Sequence, residues 1–232
     1  MSATALLAAA HPVVHASDVL ALPGSNPLAW MLLLAAMSVV PFLAVMLTSF
    51  AKMSVVLSLA RAAVGTQQAP PTVVLTGLAA VLSLVVMAPV GEAMLARARA
   101  LERSAQPTEL AAHAREVGAP LTAFLARHAS AELRDEFVEL SRELGGRDVA
   151  DDAFAVLAPA FVLGELRQAF QIGFLVFLPF LVVDMVVANI LLALGMQTLS
   201  PSQVSLPFKL LLFVAVDGWG LLARSLLLGY RG

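Results

Sequence analysis

Apolar residues fall along this chain in long blocks separated by short polar punctuation, and the blocks predict helices. The first covers 27–50, and apolar character continues to Val64 with only Lys52 and Arg61 interrupting it. Pro27 suits a first helical turn, with Asn26 before it as a cap. Pro41 is expected to kink the helix, because it removes a backbone donor. A single straight helix over 27–64 overruns a bilayer at ~1.5 Å per residue, so a break is expected. The stretch GTQQAPPT at 65–72 reads as the turn of a helical hairpin, since Gly and paired Pro stop helices. A second apolar block spans 73–94. A third covers 153–194, with Pro159 and Pro179 expected to divide it. A polar loop at 195–207 leads into a fourth, 207–230, where Trp219 and Tyr230 are candidate interfacial anchors, with inward packing as the alternative for the mid-segment Trp219.

The segment 95–153 differs in kind, being charged and mixed in sign. Leu133, Phe137, Leu140 and Leu144 form an amphipathic helical stripe, with Ser130 as N-cap and Gly145-Gly146 as stop. A shorter helix is expected over 108–117, ended by Gly118 and Pro120. This insert is too small for a large core of its own and is expected to pack on neighbours. Residues 1–26 read as a poorly ordered, uncleaved leader, because the apolar run has no preceding Lys or Arg, which a secretory signal carries; the alternative is a signal peptide cleaved after Val14-His15-Ala16. The reading is therefore an all-α membrane protein: leader 1–26, hairpin 27–94, polar helical insert 95–153, and second hairpin 154–232.

Composition supports this class. Of 232 residues 60% are hydrophobic and 13% charged, and mean hydropathy is +0.89, whereas soluble domains carry roughly 25% charged residues. Without cysteine there is neither disulfide nor thiol chemistry. A net charge of −2 gives no electrostatic case for nucleic acid. His11, His15, His113 and His128 have no clustered carboxylate partners, so they read as leader or surface residues and no metal site is expected. No glycine-rich phosphate loop follows a strand, so neither nucleotide nor other cofactor is expected.

Charges inside the apolar blocks are the candidate functional residues. Glu165, Asp184, Lys209 and Asp217 lie there, and an ionised group at mid-bilayer costs at least ~2.5–3.5 kcal/mol. Each must face protein, water or an opposite charge. Lys52 and Arg61, with no acid between Lys52 and Pro71, place the first turn, including Gln67 and Gln68, on the cytoplasmic side. Gln171 and Asn189 read as interhelical hydrogen-bonding groups.

Three blocks carry a family resemblance: LSLARAAVGTQQAPP at 57–71, GELRQAFQIGFLVFLPFLVVDMVVANILLALGM at 164–196, and LSPSQVSLPFKLLLFVAVDGWG at 199–220. In this order, with an insert between the first two, they resemble the FliP/SctR family of the type III secretion export apparatus, and the weak leader favours the SctR side. The resemblance implies a bacterial inner-membrane subunit, multi-pass and projecting towards the periplasm, with the insert on that side. It implies a homo-oligomer, typically a pentamer, joined by SctS/FliQ-like and SctT/FliR-like subunits and working with SctU/FlhB-like and SctV/FlhA-like components. The ring is the entry portal for unfolded secreted proteins and catalyses no bond chemistry. The family's methionine-rich loop before LPFK is here Met196, Gln197, Thr198 and Leu199, so a mixed constriction is expected, sealing by dewetting.

The charged pair needs a geometry. Folding an ideal hairpin about Pro201 leaves Lys209 ~14 Å from Asp184 along the axis, so either the hairpin is irregular or Lys209 meets an acid of a neighbouring subunit, the second being the expectation. The same fold sets Asp184 near Asp217. Facing aspartates suggest an intramembrane aspartyl protease as an alternative, but Val214, Ala215 and Val216 precede Asp217 where such enzymes use Gly-x-Gly-Asp. A small-molecule secondary transporter with a site near Asp184 and Lys209 is the other alternative. Glu165 is left with three candidate partners: Arg167, Lys52 and Arg61.

Overall fold

A computed structural model describes residues 27–66, 69–102, 110–145, 149–196 and 198–231. Among them are eight helices and no strand: α1 Pro27–Met46, α2 Phe50–Val64, α3 Thr72–Glu102, α4 Leu110–His128, α5 Ala131–Gly145, α6 Phe154–Ala193, α7 Pro201–Ala215 and α8 Gly218–Leu228. The chain is an all-α protein. Met1–Leu43 and Ala44–Gly232 are separate compact units, and the second holds both cores and every site below. The leader and Gln67, Gln68 and Gln197 lie outside the described residues.

Helix α2 is the centre of the larger unit. Met53, Val56, Leu57, Ala60, Ala63 and Val64 recur at helical spacing and are all buried, as a helix surrounded by others requires. They pack with Leu75, Ala79 and Leu82 of α3, Ala169 and Phe180 of α6, Phe213 of α7, and Leu222 and Leu226 of α8. At about 1.5–3 kcal/mol for each large apolar side chain buried, this cluster dominates the fold. Gly173 of α6 lets that helix lie close against α2: a Cβ there would lie 2.3 Å from Leu59 Cδ1. Helix α2 stops at Gly65, whose φ of +88° is left-handed and whose N–H donates to Ala62 O at 3.0 Å.

The insert has no core of its own. Phe124, Leu125, Ala129 and Leu133 are buried against Leu47 and against Leu157, Ala160 and Phe161 of α6. Ser130 Oγ accepts from the Leu133 N–H at 3.2 Å, the expected N-cap contact. The stripe on α5 is buried only at its start: Leu133 and Phe137 pack, while Leu140 and Leu144 are exposed, because only the first turns of α5 lie against α6. Helix α4 is also longer than expected and continues through Gly118 and Pro120. Pro120 has no N–H for the Glu116 carbonyl four residues back. Arg97 Nη1 donates to that carbonyl instead, at 3.3 Å.

Prolines likewise fail to divide the third apolar block, because α6 is one helix of 40 residues containing both Pro159 and Pro179. Each proline forfeits one backbone bond and strains its turn, about 3 kcal/mol. The turns after them hold buried Ala160 and Phe161 in one case and Phe180 in the other, and that packing offsets the strain. The fourth block does break. Helices α7 and α8 meet at 56°, Pro201 opens α7 and Pro207 lies within it, and Asp217 occupies the break with a left-handed φ of 50°.

Helices α3 and α6 are long and apolar enough to cross a membrane, and each of two broken pairs, α1–α2 and α7–α8, qualifies when counted as one span. One face of α6 is exposed along its length, including Phe170, Phe174, Leu175, Val182, Met185 and Ile190. An apolar face of this extent needs lipid or another protein chain against it.

Candidate functional site

Two ion pairs hold the charges that the apolar sequence makes costly. The first joins the α6–α7 hairpin. Lys209 Nζ lies 2.6 Å from Asp184 Oδ2, and Ser205 Oγ donates to Asp184 Oδ1 at 2.5 Å. Lys209 and Ser205 stand one turn apart on α7, so both reach the same carboxylate. The pair is formed within one chain, which corrects the expectation of an inter-subunit partner. The hairpin turns at Gly195 and Met196, where the Met196 N–H reaches Leu191 O at 2.9 Å. It therefore folds several residues before Pro201, and that shift brings Lys209 level with Asp184.

This pair borders a cleft of about 630 Å³ between the end of α2 and the hairpin. Arg61 and Gly65 of α2, Phe180 and Leu181 of α6, and Ser202 at the start of α7 also line it. The Lys209 side chain is buried, but Asp184 keeps 36% of its side chain exposed. Arg61 belongs to the first turn as expected, donating to Pro70 O at 3.3 Å and Thr72 Oγ1 at 3.0 Å.

The second pair is sealed. Lys52 Nζ lies 3.2 Å from Glu165 Oε1, and the two side chains are 3% and 1% exposed. Of the three candidate partners of Glu165, Lys52 is the one in contact. Arg167 pairs instead with Glu132, at 3.0 Å on the surface. The ammonium also donates to Gln168 Oε1 at 2.9 Å and stands 4.1 Å from the centre of the Tyr230 ring. Its three donors thus face a carboxylate, an amide oxygen and a π face. Tyr230 O–H donates to the other Glu165 oxygen, Oε2. Lys52 is therefore not part of the cytoplasmic turn: it sits in the first turn of α2, in the interior, which leaves Arg61 alone to argue for that side. Tyr230 is likewise drawn inward and is not an interfacial anchor, and Trp219 packs edge-on against Phe213, centroids 5.0 Å apart.

His128 extends this cluster to the insert, with its ring 4.6 Å from Phe124 and 5.1 Å from Tyr230. It is half-buried, not a surface residue as expected. Burial, then the positive charges of Lys52 and Arg127, hold its pKa below the ordinary histidine value of 6.5.

The remaining candidates lie at the surface of the chain. Met196 and Leu199 are each 43% exposed, and Thr198 is exposed beside them. Asp217 is exposed at the α7–α8 break and not buried as expected, its carboxylate lying where a side chain on Gly220 would go. Gln171 and Asn189 are exposed as well.

The motif blocks and this geometry agree with the comparisons. Residues 33–226 match the FliP family. The chain belongs to the FliP family. It is 45% identical over 206 residues to "Yop proteins translocation protein R" of Yersinia pestis, covering 87% of this chain and 95% of that protein. It is 42% identical to "Hypersensitivity response secretion protein HrcR" of Ralstonia nicotianae, over 84% of this chain and 94% of the relative. It is 40% identical to "Flagellar biosynthetic protein FliP" of Caulobacter vibrioides, over 86% and 74% respectively.

In this FliP-family chain the sequence reading missed Gln168, His128 and Tyr230 as members of the Lys52–Glu165 cluster, and Ser205 as the second donor to Asp184. Ser205 and Gln168 left a signal, at i−4 from Lys209 and i+3 from Glu165 in blocks already singled out. His128 and Tyr230 come from separate elements that meet the pair only in the fold.

Proposed function

We propose that this chain, a core component of the type III protein-export apparatus, forms with further copies of itself the portal through which unfolded proteins enter the export path across the bacterial inner membrane. The observation that carries this reading is α6. At ~1.5 Å per residue its 40 residues extend ~60 Å, about twice a ~30 Å hydrocarbon core, and large exposed apolar side chains recur from Phe154 to Leu192. Lipid covers only part of such a helix, so neighbouring subunits cover the rest. Five copies, with SctS/FliQ-like and SctT/FliR-like subunits and SctU/FlhB-like and SctV/FlhA-like components alongside, fit the family, as does an insert that projects to the periplasmic side.

The loop at the tip of the α6–α7 hairpin is the constriction. Met196 and Leu199 are exposed within the chain and available to meet their copies around an axis. Unbranched Met repacks around varied cargo, and an apolar ring closes by dewetting. The aspartyl-protease alternative gains no support, because Asp184 is committed to Lys209 and Ser205 while Asp217 has separate surroundings. The transporter alternative needs a lone chain able to cover its own surface, which α6 does not favour. Ion leakage across vesicles carrying the assembled complex tests the seal. Met196→Ser with Leu199→Ser is expected to raise leakage severalfold while assembly persists. Leakage equal to wild type places the constriction elsewhere.

A further inference from the structure

We infer that the cleft between Arg61 and Lys209 is a phosphate-binding site, filled in the membrane by the headgroup of an anionic phospholipid. The inference rests on the chain lying in a membrane and not on its being a portal.

The charge balance of the cleft is the first ground. Arg61 and Lys209 bring two positive charges to it and Asp184 brings one negative charge. Asp184 is already neutralised by Lys209 at 2.6 Å. Arg61 meets only neutral oxygens, the Pro70 carbonyl and the Thr72 hydroxyl, and among the described residues it has no carboxylate partner. One net positive charge is therefore left in a cleft between apolar helices. The last carbonyls of α2 point towards this end, and Arg61 in the last turn offsets them.

Donor geometry is the second ground. Arg61 and Gly65 are one turn apart on α2, and a Cβ on Gly65 would lie 4.0 Å from Lys209 Nζ. Arg61 and Lys209 both line the cleft. Both contacts of Arg61 use Nη1, so Nε and Nη2 remain as donors, and Lys209 retains ammonium protons beyond the one given to Asp184. Ser202 and Thr66 add hydroxyls, and no acid is present in the first turn of α7. Planar guanidinium donors, an ammonium and hydroxyls together suit a tetrahedral anion with several acceptor oxygens.

The shape selects the carrier of that phosphate. Phe177, Phe180 and Leu181 form the opposite wall. Leu181 is itself exposed and continues into the exposed apolar face of α6 at Leu178 and Val182. An anion with an acyl tail satisfies both ends, its head on Arg61 and its chain along α6. A free phosphate ion leaves the apolar wall unused.

Native mass spectrometry of the full-length chain in its delipidated export complex, titrated with single lipids, tests this. Phosphatidylglycerol is expected to bind at least tenfold more tightly than phosphatidylcholine, saturating at one lipid per copy of this chain. Arg61→Gln is expected to remove that preference, and Arg61→Lys to keep part of it, with the mass of the complex reporting assembly in the same spectrum. Millimolar inorganic phosphate is expected to displace little of the lipid. Equal binding of the two lipids to the wild-type complex overturns the inference without recourse to any variant. A preference unchanged in Arg61→Gln overturns the assignment to this cleft, and full displacement by inorganic phosphate overturns the lipid. If the assembled complex takes up no phosphatidylglycerol and Arg61→Gln dissociates it, Arg61 pairs with a partner's carboxylate and the inference fails.

Discussion

The two ion pairs of this chain have the same chemistry and opposite settings. Lys52–Glu165 is closed on every side: each carboxylate oxygen has its own donor, the ammonium faces three partners, and four parts of the chain (α2, α4, α6 and Tyr230) meet there. Asp184–Lys209 stands at the mouth of a cleft with its carboxylate reaching solvent. A buried charge without its partner is far more costly than one that water can reach. The first pair therefore acts as a fastener that fixes how the insert and the C-terminal segment sit on α2 and α6. The second is a station, firm enough to fix the hairpin and open enough to meet something else. Both depend on α2 lying close against α6.

Substitutions separate these roles. Glu165→Ala strands Lys52 in the interior and removes the acceptor of Tyr230, so a loss of about 3–5 kcal/mol is expected. Thermal unfolding in detergent checks it, with little folded protein recovered. Gly173→Ala comes next. Its new methyl overlaps Leu59 and pushes α2 from α6 between the two pairs, costing about 1–3 kcal/mol, and Leu59→Ala on the same chain is expected to recover part of the loss. Lys209→Ala is milder, about 1–2 kcal/mol, because Ser205 still donates to Asp184 and water reaches the free carboxylate. Equal losses for Glu165→Ala and Lys209→Ala erase the contrast drawn here.

Acid weakens the sealed cluster in a defined direction. His128 has a pKa below its unfolded value of 6.5, so the folded chain binds its proton less readily than the unfolded one. Stability from this group is present above about pH 6.5 and is lost as pH falls through the lowered folded value. His128→Asn is expected to flatten that part of the pH–stability curve. The smallest effect belongs to the surface pair Arg167–Glu132: Glu132→Ala is expected to change stability by roughly 0–1 kcal/mol.

Much of this arrangement was legible in the pattern of apolar blocks. The helical class, the break after the first block, the turn at Gly65, the Ser130 cap and the dependence of the insert on its neighbours all follow from local chemistry. The errors share a cause, which is that tertiary packing outweighs a local signal. Pro120, Pro159 and Pro179 stay inside helices because a neighbouring guanidinium or buried stripe compensates each of them. The pairing of Asp184 with Lys209 was misjudged because register depends on where a loop turns, and Gly195 rather than Pro201 sets that. Lys52 looked like a loop charge because its partner lies over a hundred residues away in sequence.

The central claim is that each copy pairs its embedded charges within itself, so assembly brings complete units together. Reversing the open pair tests this most directly, by measuring recovery of the assembled complex on native gels. Asp184→Lys and Lys209→Asp on one chain are expected to assemble better than either change alone. Chains carrying the single changes, expressed together, are expected to stay as defective as each by itself. Recovery by mixing the two single variants, without recovery in the doubly changed chain, contradicts the account and puts the pair between subunits.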